Sequence, residues 1–144
     1  MRWDDVIRVA VAALDADQAI VSELGGSGRI WPVDQTRTVQ YGCIEYSIVS
    51  DVEEEVMNRI VVSFDIRCRG DDKVSAMKKT ATVERRVRRV LTRPYNDGRI
   101  EGVYVNPRLV DARTMPVPEE NVMHRQVDIL FEPVRERYAA PNLA

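Results

Sequence analysis

The sequence predicts an α+β domain: a four-stranded, mainly antiparallel sheet covered by helices, in the order helix-strand-strand-helix-strand-strand. Three observations carry this. From Arg59 to Arg69 the residues alternate strictly, with Ile60, Val62, Phe64, Ile66 and Cys68 on one side and Arg59, Ser63, Asp65, Arg67 and Arg69 on the other. That is the period of a strand with one buried face. Lys73 to Leu91 contains no Gly or Pro, and at about 100° per residue it gathers Ala76, Met77, Val83, Val87 and Leu91 on one side of a helix. Met123, Val127, Ile129 and Phe131 alternate with His124, Gln126 and Asp128 to make a further strand.

In chain order, Trp3, Val6, Ile7, Ala10, Ala13 and Leu14 have the spacing of an amphipathic first helix, with Asp4 and Asp5 in the turn where the helix dipole favours negative charge. Asp17 is placed to cap a second short turn through Leu24, which Gly25-Gly26 ends. Arg29-Ile30-Trp31-Pro32 makes a brief extended piece, and Val33 to Gln40 reads as a surface loop. Tyr41 to Ser50 offers Ile44, Tyr46 and Ile48 in alternation, so this run and the strand after it form a hairpin with the acidic segment Asp51-Val52-Glu53-Glu54-Glu55 as its tip. Gly70-Asp71-Asp72 stops the second strand and caps the long helix. Arg93-Pro94 breaks that helix, and Tyr95-Asn96-Asp97-Gly98 is turn chemistry. Val103, Val105 and Leu109 mark a strand interrupted by Asn106-Pro107, which suits an edge or a bulge. The Met115 to Asn121 connection is stiff and polar, and Pro133 ends the final strand. Residues 1–133 read as a single domain and 134–144 as a loosely held tail.

Composition narrows the function classes. Lys and Arg total 21 against 23 Asp and Glu, a net charge of −2, which argues against a protein built for bulk nucleic-acid binding. No apolar run approaches the length of a membrane span, and the expectation is a protein that is cytosolic when made. Cys68 falls on the inward face and Cys43 on the other, so pairing them would turn a strand face inside out; two reduced structural thiols are expected. A single His124 on a polar strand face gives no cluster for zinc and reads as an exposed structural residue. Ser22 to Gly28 is glycine-rich, but it follows a helix and lacks the Walker lysine, so a flexible turn is the better reading. No catalytic constellation, metal site or cofactor site is legible, and the chain reads as not an enzyme.

The feature that reads as a site is a charge pair. Lys78, Lys79, Arg85, Arg86 and Arg89 share the helix side opposite the buried stripe, while Asp51, Glu53, Glu54 and Glu55 crowd the hairpin tip. The basic side can be a solvated surface, a phosphate contact or one half of an ion-paired subunit boundary. The acidic tip favours the last, because a negative arm and a positive face are the two different patches that a heterologous ring needs.

Gly28-Arg29-Ile30-Trp31-Pro32, then Tyr41-Gly42-Cys43-Ile44-Glu45-Tyr46, then Val62-Ser63-Phe64-Asp65-Ile66-Arg67 before a helix, and finally Arg125-Gln126-Val127-Asp128-Ile129-Leu130-Phe131, resemble the tail terminator (tail completion) proteins of long-tailed bacteriophages. The resemblance is one of element order and loose residue pattern, from the first helix to Phe131. It implies a small α+β virion subunit that forms a hexameric ring on the head-proximal end of the tail tube, stops tube polymerisation and makes the surface joining the tail to the head connector. The implied partners are further copies of the chain, the tail tube protein and connector or neck proteins, with DNA passing through the lumen without sequence-specific binding, no membrane and no cofactor. The implied locations are the host cytoplasm during assembly and then the virion. The family brings no catalytic residues, and the proline-containing connection from Met115 to Asn121 departs from its pattern. A head-to-tail neck protein is the neighbouring reading; a small nucleic-acid-binding protein using the basic helix is the alternative of another class.

Overall fold

The chain folds as α1 (Trp3–Asp15), α2 (Gln18–Leu24), β1 (Ile30–Pro32), β2 (Cys43–Glu53), β3 (Asn58–Arg69), α3 (Lys73–Leu91), β4 (Arg99–Ile100), β5 (Val103–Met115) and β6 (Val122–Pro133). The structure is a computed structural model that describes residues 3–34, 40–53, 58–92, 99–100 and 103–133. The strands lie in the order β1-β2-β3-β6-β5-β4. Every neighbouring pair is antiparallel except β1 with β2, which is parallel.

The α+β class holds, and the strand count is corrected from four. A five-stranded sheet runs from β1 to β5, and the two-residue β4 pairs with the start of β5. The extra strands escaped the sequence because they are too short to show a period of two. They are held by pairing instead: Ile44 N–H donates to Arg29 O at 3.0 Å and Val33 N–H to Tyr46 O at 2.9 Å, which straps β1 along β2. The hairpin is also longer than expected. Asp51 and Glu53 belong to β2, opposite Ile60 and Asn58, and a β-bulge between Ile48 and Ser50 hid this by shifting the alternation by one residue. Glu54 and Glu55 lie outside the described residues, as do Tyr95 to Gly98 and the tail 134–144. In β5 the ladder runs through Pro107, and the bulge falls between Leu109 and Asp111.

One face of the sheet is apolar as its alternation requires. Ile44, Tyr46 and Ile48 stand opposite Ile66, Phe64 and Val62, which in turn meet Arg125, Val127 and Ile129 of β6. Ile60, Val62, Phe64, Ile66, Val127, Ile129 and Phe131 are all fully buried, in one cluster with Val6, Ala10 and Leu14 of α1 and Val83, Val87 and Leu91 of α3. Two helix assignments need correction. Met77 is half exposed, because the buried stripe of α3 is Ala76, Thr80, Val83, Val87 and Leu91, and Met77 lies about 100° round from Ala76. Thr80 takes the core position at no cost in unpaired polarity, since its hydroxyl donates to Ala76 O at 2.8 Å. Trp3, in the first turn of α1, is likewise half exposed.

The caps are those the sequence announces. Asp17 accepts from Ile20 N–H at 3.1 Å and Asp72 from Ser75 N–H at 2.7 Å, each filling an orphan donor at a helix start. Gly25 closes α2 at φ 88°, where an L side chain is strained. Gly70 is needed for a different reason: a Cβ there would stand 2.5 Å from the backbone nitrogen of Ala76, so only glycine lets β3 turn this tightly into α3. Lys73 Nζ then donates to Val122 O at 2.8 Å, fixing the start of α3 to the start of β6.

Phe64→Ala removes the largest side chain of the central strand and should cost about 3–5 kcal/mol, whereas Met77→Ala should change stability by no more than about 0.5 kcal/mol. Urea denaturation of the two variants measures both; equal losses would contradict the corrected helix face.

Candidate assembly surface

The basic residues of α3 divide into two groups. Lys78, Arg85 and Arg89 are exposed on the outward ridge of the helix. Lys79 and Arg86 turn aside and are engaged within the subunit. Lys79 Nζ reaches Arg69 O at 3.4 Å, and Arg86 grips Asp17 with both Nε, at 3.3 Å from Oδ1, and Nη2, on Oδ2. The expectation that all five form one free cationic face is therefore corrected: Arg86 ties α3 to the cap of α2, and three charges remain outward. Sequence alone shows that Asp17 can cap a helix; it does not show that a carboxylate with two oxygens serves two donors from different elements.

The Asp17–Arg86 pair has an electrostatic signature. The hydrogen bond from Arg86 is the largest influence on Asp17 and, with the Ile20 amide, holds its pKa below the ordinary value of 3.8 against the opposing effect of burial. A carboxyl depressed in the folded state stabilises the fold above its unfolded pKa and loses that contribution as pH falls through the folded one.

The acidic residues lie elsewhere. Asp51 and Glu53 are in β2, and β3 separates that strand from β6 beneath α3.

The sheet face away from the apolar one is polar and largely paired. His124 Nε2 lies 2.6 Å from Asp65 Oδ1, and Gln126 Nε2 donates to the same oxygen at 3.1 Å. Arg67 stands 3.2 Å from Glu45, Arg59 3.2 Å from Glu132 and Arg113 2.6 Å from Asp111. His124 is buried, a correction to its reading as exposed: Arg67 and Met115 flank it in the ladder, and side chains on neighbouring strands crowd out water. It serves as the partner of the buried Asp65 carboxylate.

Cys43 and Cys68 are buried on opposite sheet faces, which forbids the bridge as the register predicts. Burial pushes the Cys43 thiol up to about 12, with the neighbouring Glu45 acting in the same direction, and burial raises Cys68 as well. Among the described residues, no group of three or more His, Cys, Asp or Glu could hold a metal ion, and no helix is long and apolar enough to cross a membrane.

Two outcomes follow. Asp17→Asn keeps a capping side chain but loses the ion pair, so the variant should be less stable than the parent near neutrality. The gap should narrow below pH 3.8 as Asp17 of the parent protonates; denaturation midpoints across pH 2–7, a range of about five units chosen to span the carboxylate pKa, measure this. A thiol-reactive disulfide reagent at about pH 8 should label neither cysteine until denaturant is added, because the reactive thiolate is suppressed at both.

No protein-family model matches the chain, and no curated protein matches it. Among solved structures, its fold is similar to a chain of the structure described as "Virion of native gene transfer agent (GTA) particle", with a TM-score of 0.56 at 11% sequence identity. The match covers 86% of this chain and 89% of that one, so the likeness, which is one of fold, takes in nearly the whole of both.

Proposed function

We propose that the chain is a structural subunit of a phage-like virion, and within it a tail terminator: a ring on the head-proximal end of the tail tube that stops polymerisation and presents the surface joined by the head connector. The observation that carries the reading is the shared fold with a chain of a virion over 86% of this chain. The element order and residue patterns that resemble tail terminators add the finer role.

The surface chemistry supports assembly over catalysis. Lys78, Arg85 and Arg89 form an outward cationic ridge on a rigid helix, and Asp51 and Glu53 stand among the last residues of β2. Repeated around a ring, these are unlike patches that complement one another between copies. Each exposed pair contributes only about 0.2–1 kcal/mol, so the charges select partner and register and apolar burial supplies affinity. The polar sheet face suits a channel for DNA. Three of its arginines, Arg59, Arg67 and Arg113, are each held by an acid, which lowers the positive charge with which it would retain phosphates. No sequence-specific reading of DNA is expected.

Deleting the gene in a particle-producing strain tests the role. A tail terminator's absence should give tubes of uncontrolled length without heads, seen by negative-stain microscopy. Tails of normal length that fail to join heads would point instead to a neck protein, and intact particles would contradict a virion role.

A further inference from the structure

Among the described residues, both edges of the sheet have long stretches without a partner strand. On one side β1 covers only Ile44 to Tyr46, and from Ser47 to Glu53 the outer backbone of β2 pairs with nothing among the described residues. On the other side β4 covers only Val103 and Tyr104, and from Val105 to Met115 the outer backbone of β5 pairs with nothing among the described residues. An unpaired edge is a row of N–H and C=O groups ready to accept another strand, and soluble proteins usually guard it with charge. Here the middle of each edge is apolar and exposed: Ile48 at 36% and Val49 at 59% on β2, Leu109 at 38% and Val110 at 56% on β5.

We propose that the β2 edge of one copy pairs with the β5 edge of the next, so that the sheet runs on from subunit to subunit. The proposal rests on the ring reading above and supplies its joint.

Direction permits the pairing. β2, β3, β6 and β5 alternate in sense, so the two open edge strands run opposite ways. Rotation that keeps every subunit the same way up then sets β5 antiparallel to the next β2, continuing the alternation. Face selects it further. Ile48 stands opposite Val62 and Leu109 opposite Ile129, so both belong to the helix-covered face. Joined edges bring them together on that face.

Charge fixes the register. β2 gains Asp51 and Glu53 toward its hairpin end. α3 begins where β3 ends, pinned by Lys73 to the first residue of β6, and so runs back toward that hairpin end with Arg85 and Arg89 in its second half. An antiparallel joint therefore places the acids of one copy level with the arginines of its neighbour. The bulges at Ile48/Ser50 and Leu109/Asp111 bend both edges, which favours a closed ring over a flat ribbon.

Ile48→Cys and Leu109→Cys, placed together in the full chain and treated with a short bismaleimide, test the joint. The expected result on a denaturing gel is a covalent ladder ending at the ring size, with no crosslink in either single variant or in the parent, whose two cysteines are buried. Ring-sized particles by mass without a ladder would overturn edge pairing while leaving the ring reading intact. Dimers from Ile48→Cys alone would overturn it in favour of a β2–β2 joint. A chain that stays monomeric defeats the ring reading and the joint with it. If the double-cysteine variant fails to fold, Asp51→Arg with Glu53→Arg serves: assembly should weaken by about tenfold and recover in part with Arg85→Glu and Arg89→Glu, and indifference to both sets of changes overturns the proposal.

Discussion

Strand β3 pairs with β2 on one side and β6 on the other over nearly its whole length, and the rest of the molecule follows from filling both its ladders and both its faces. Its apolar face, Ile60 to Cys68, must be kept from water, and α3 does this directly because Gly70 lets the chain turn from strand to helix within the three residues Gly70-Asp71-Asp72. Its other face is polar yet crowded. Asp65 is thereby committed to His124 and Gln126, and Arg67 to Glu45. Both backbone ladders of β3 are filled, so the strand edges that lack a partner among the described residues lie at the periphery of the sheet, while within β3 the Ser63 hydroxyl is buried without a hydrogen-bond partner.

Positioning of the charged surface depends on one link between layers. Asp17 caps α2 and at the same time receives Arg86 from α3, so the short helix is fixed to the long one by a single carboxylate. With Arg86 turned inward, the outward ridge of α3 is set by Lys78, Arg85 and Arg89, and its direction relative to the sheet is set by Lys73 at the start of β6. The outward cationic ridge is a consequence of these internal fastenings rather than a separate feature laid over the fold.

Sequence and structure agree where periodicity is long. The faces of β3 and β6, the span of α3 and both helix caps were legible because a period of two or 3.6 sustained over ten or more residues admits few alternatives. What was hidden is equally physical. A three-residue strand such as β1 has no period to read, and the bulges in β2 and β5 break the period that was being read. Met77 was misplaced because an apolar residue bordering a helix stripe has the same signature whether or not a neighbour covers it, and Thr80 was passed over because its internal hydrogen bond cannot be seen in the sequence. Of the charged candidates, Arg86 was lost to the fold and Glu54 and Glu55 lie outside the described residues. Lys78, Arg85 and Arg89 stand where the wheel put them.

The account makes the chain a self-assembling subunit, with two unlike edges that close only when a fixed number of copies meet. Native mass spectrometry of the purified protein across a range of concentrations measures this most directly. The account predicts one discrete oligomer in equilibrium with monomer, with few species between, because a ring gains its last contact at no further cost in freedom of association. A monomer at every concentration, or a ladder of masses without a stopping point, would contradict it.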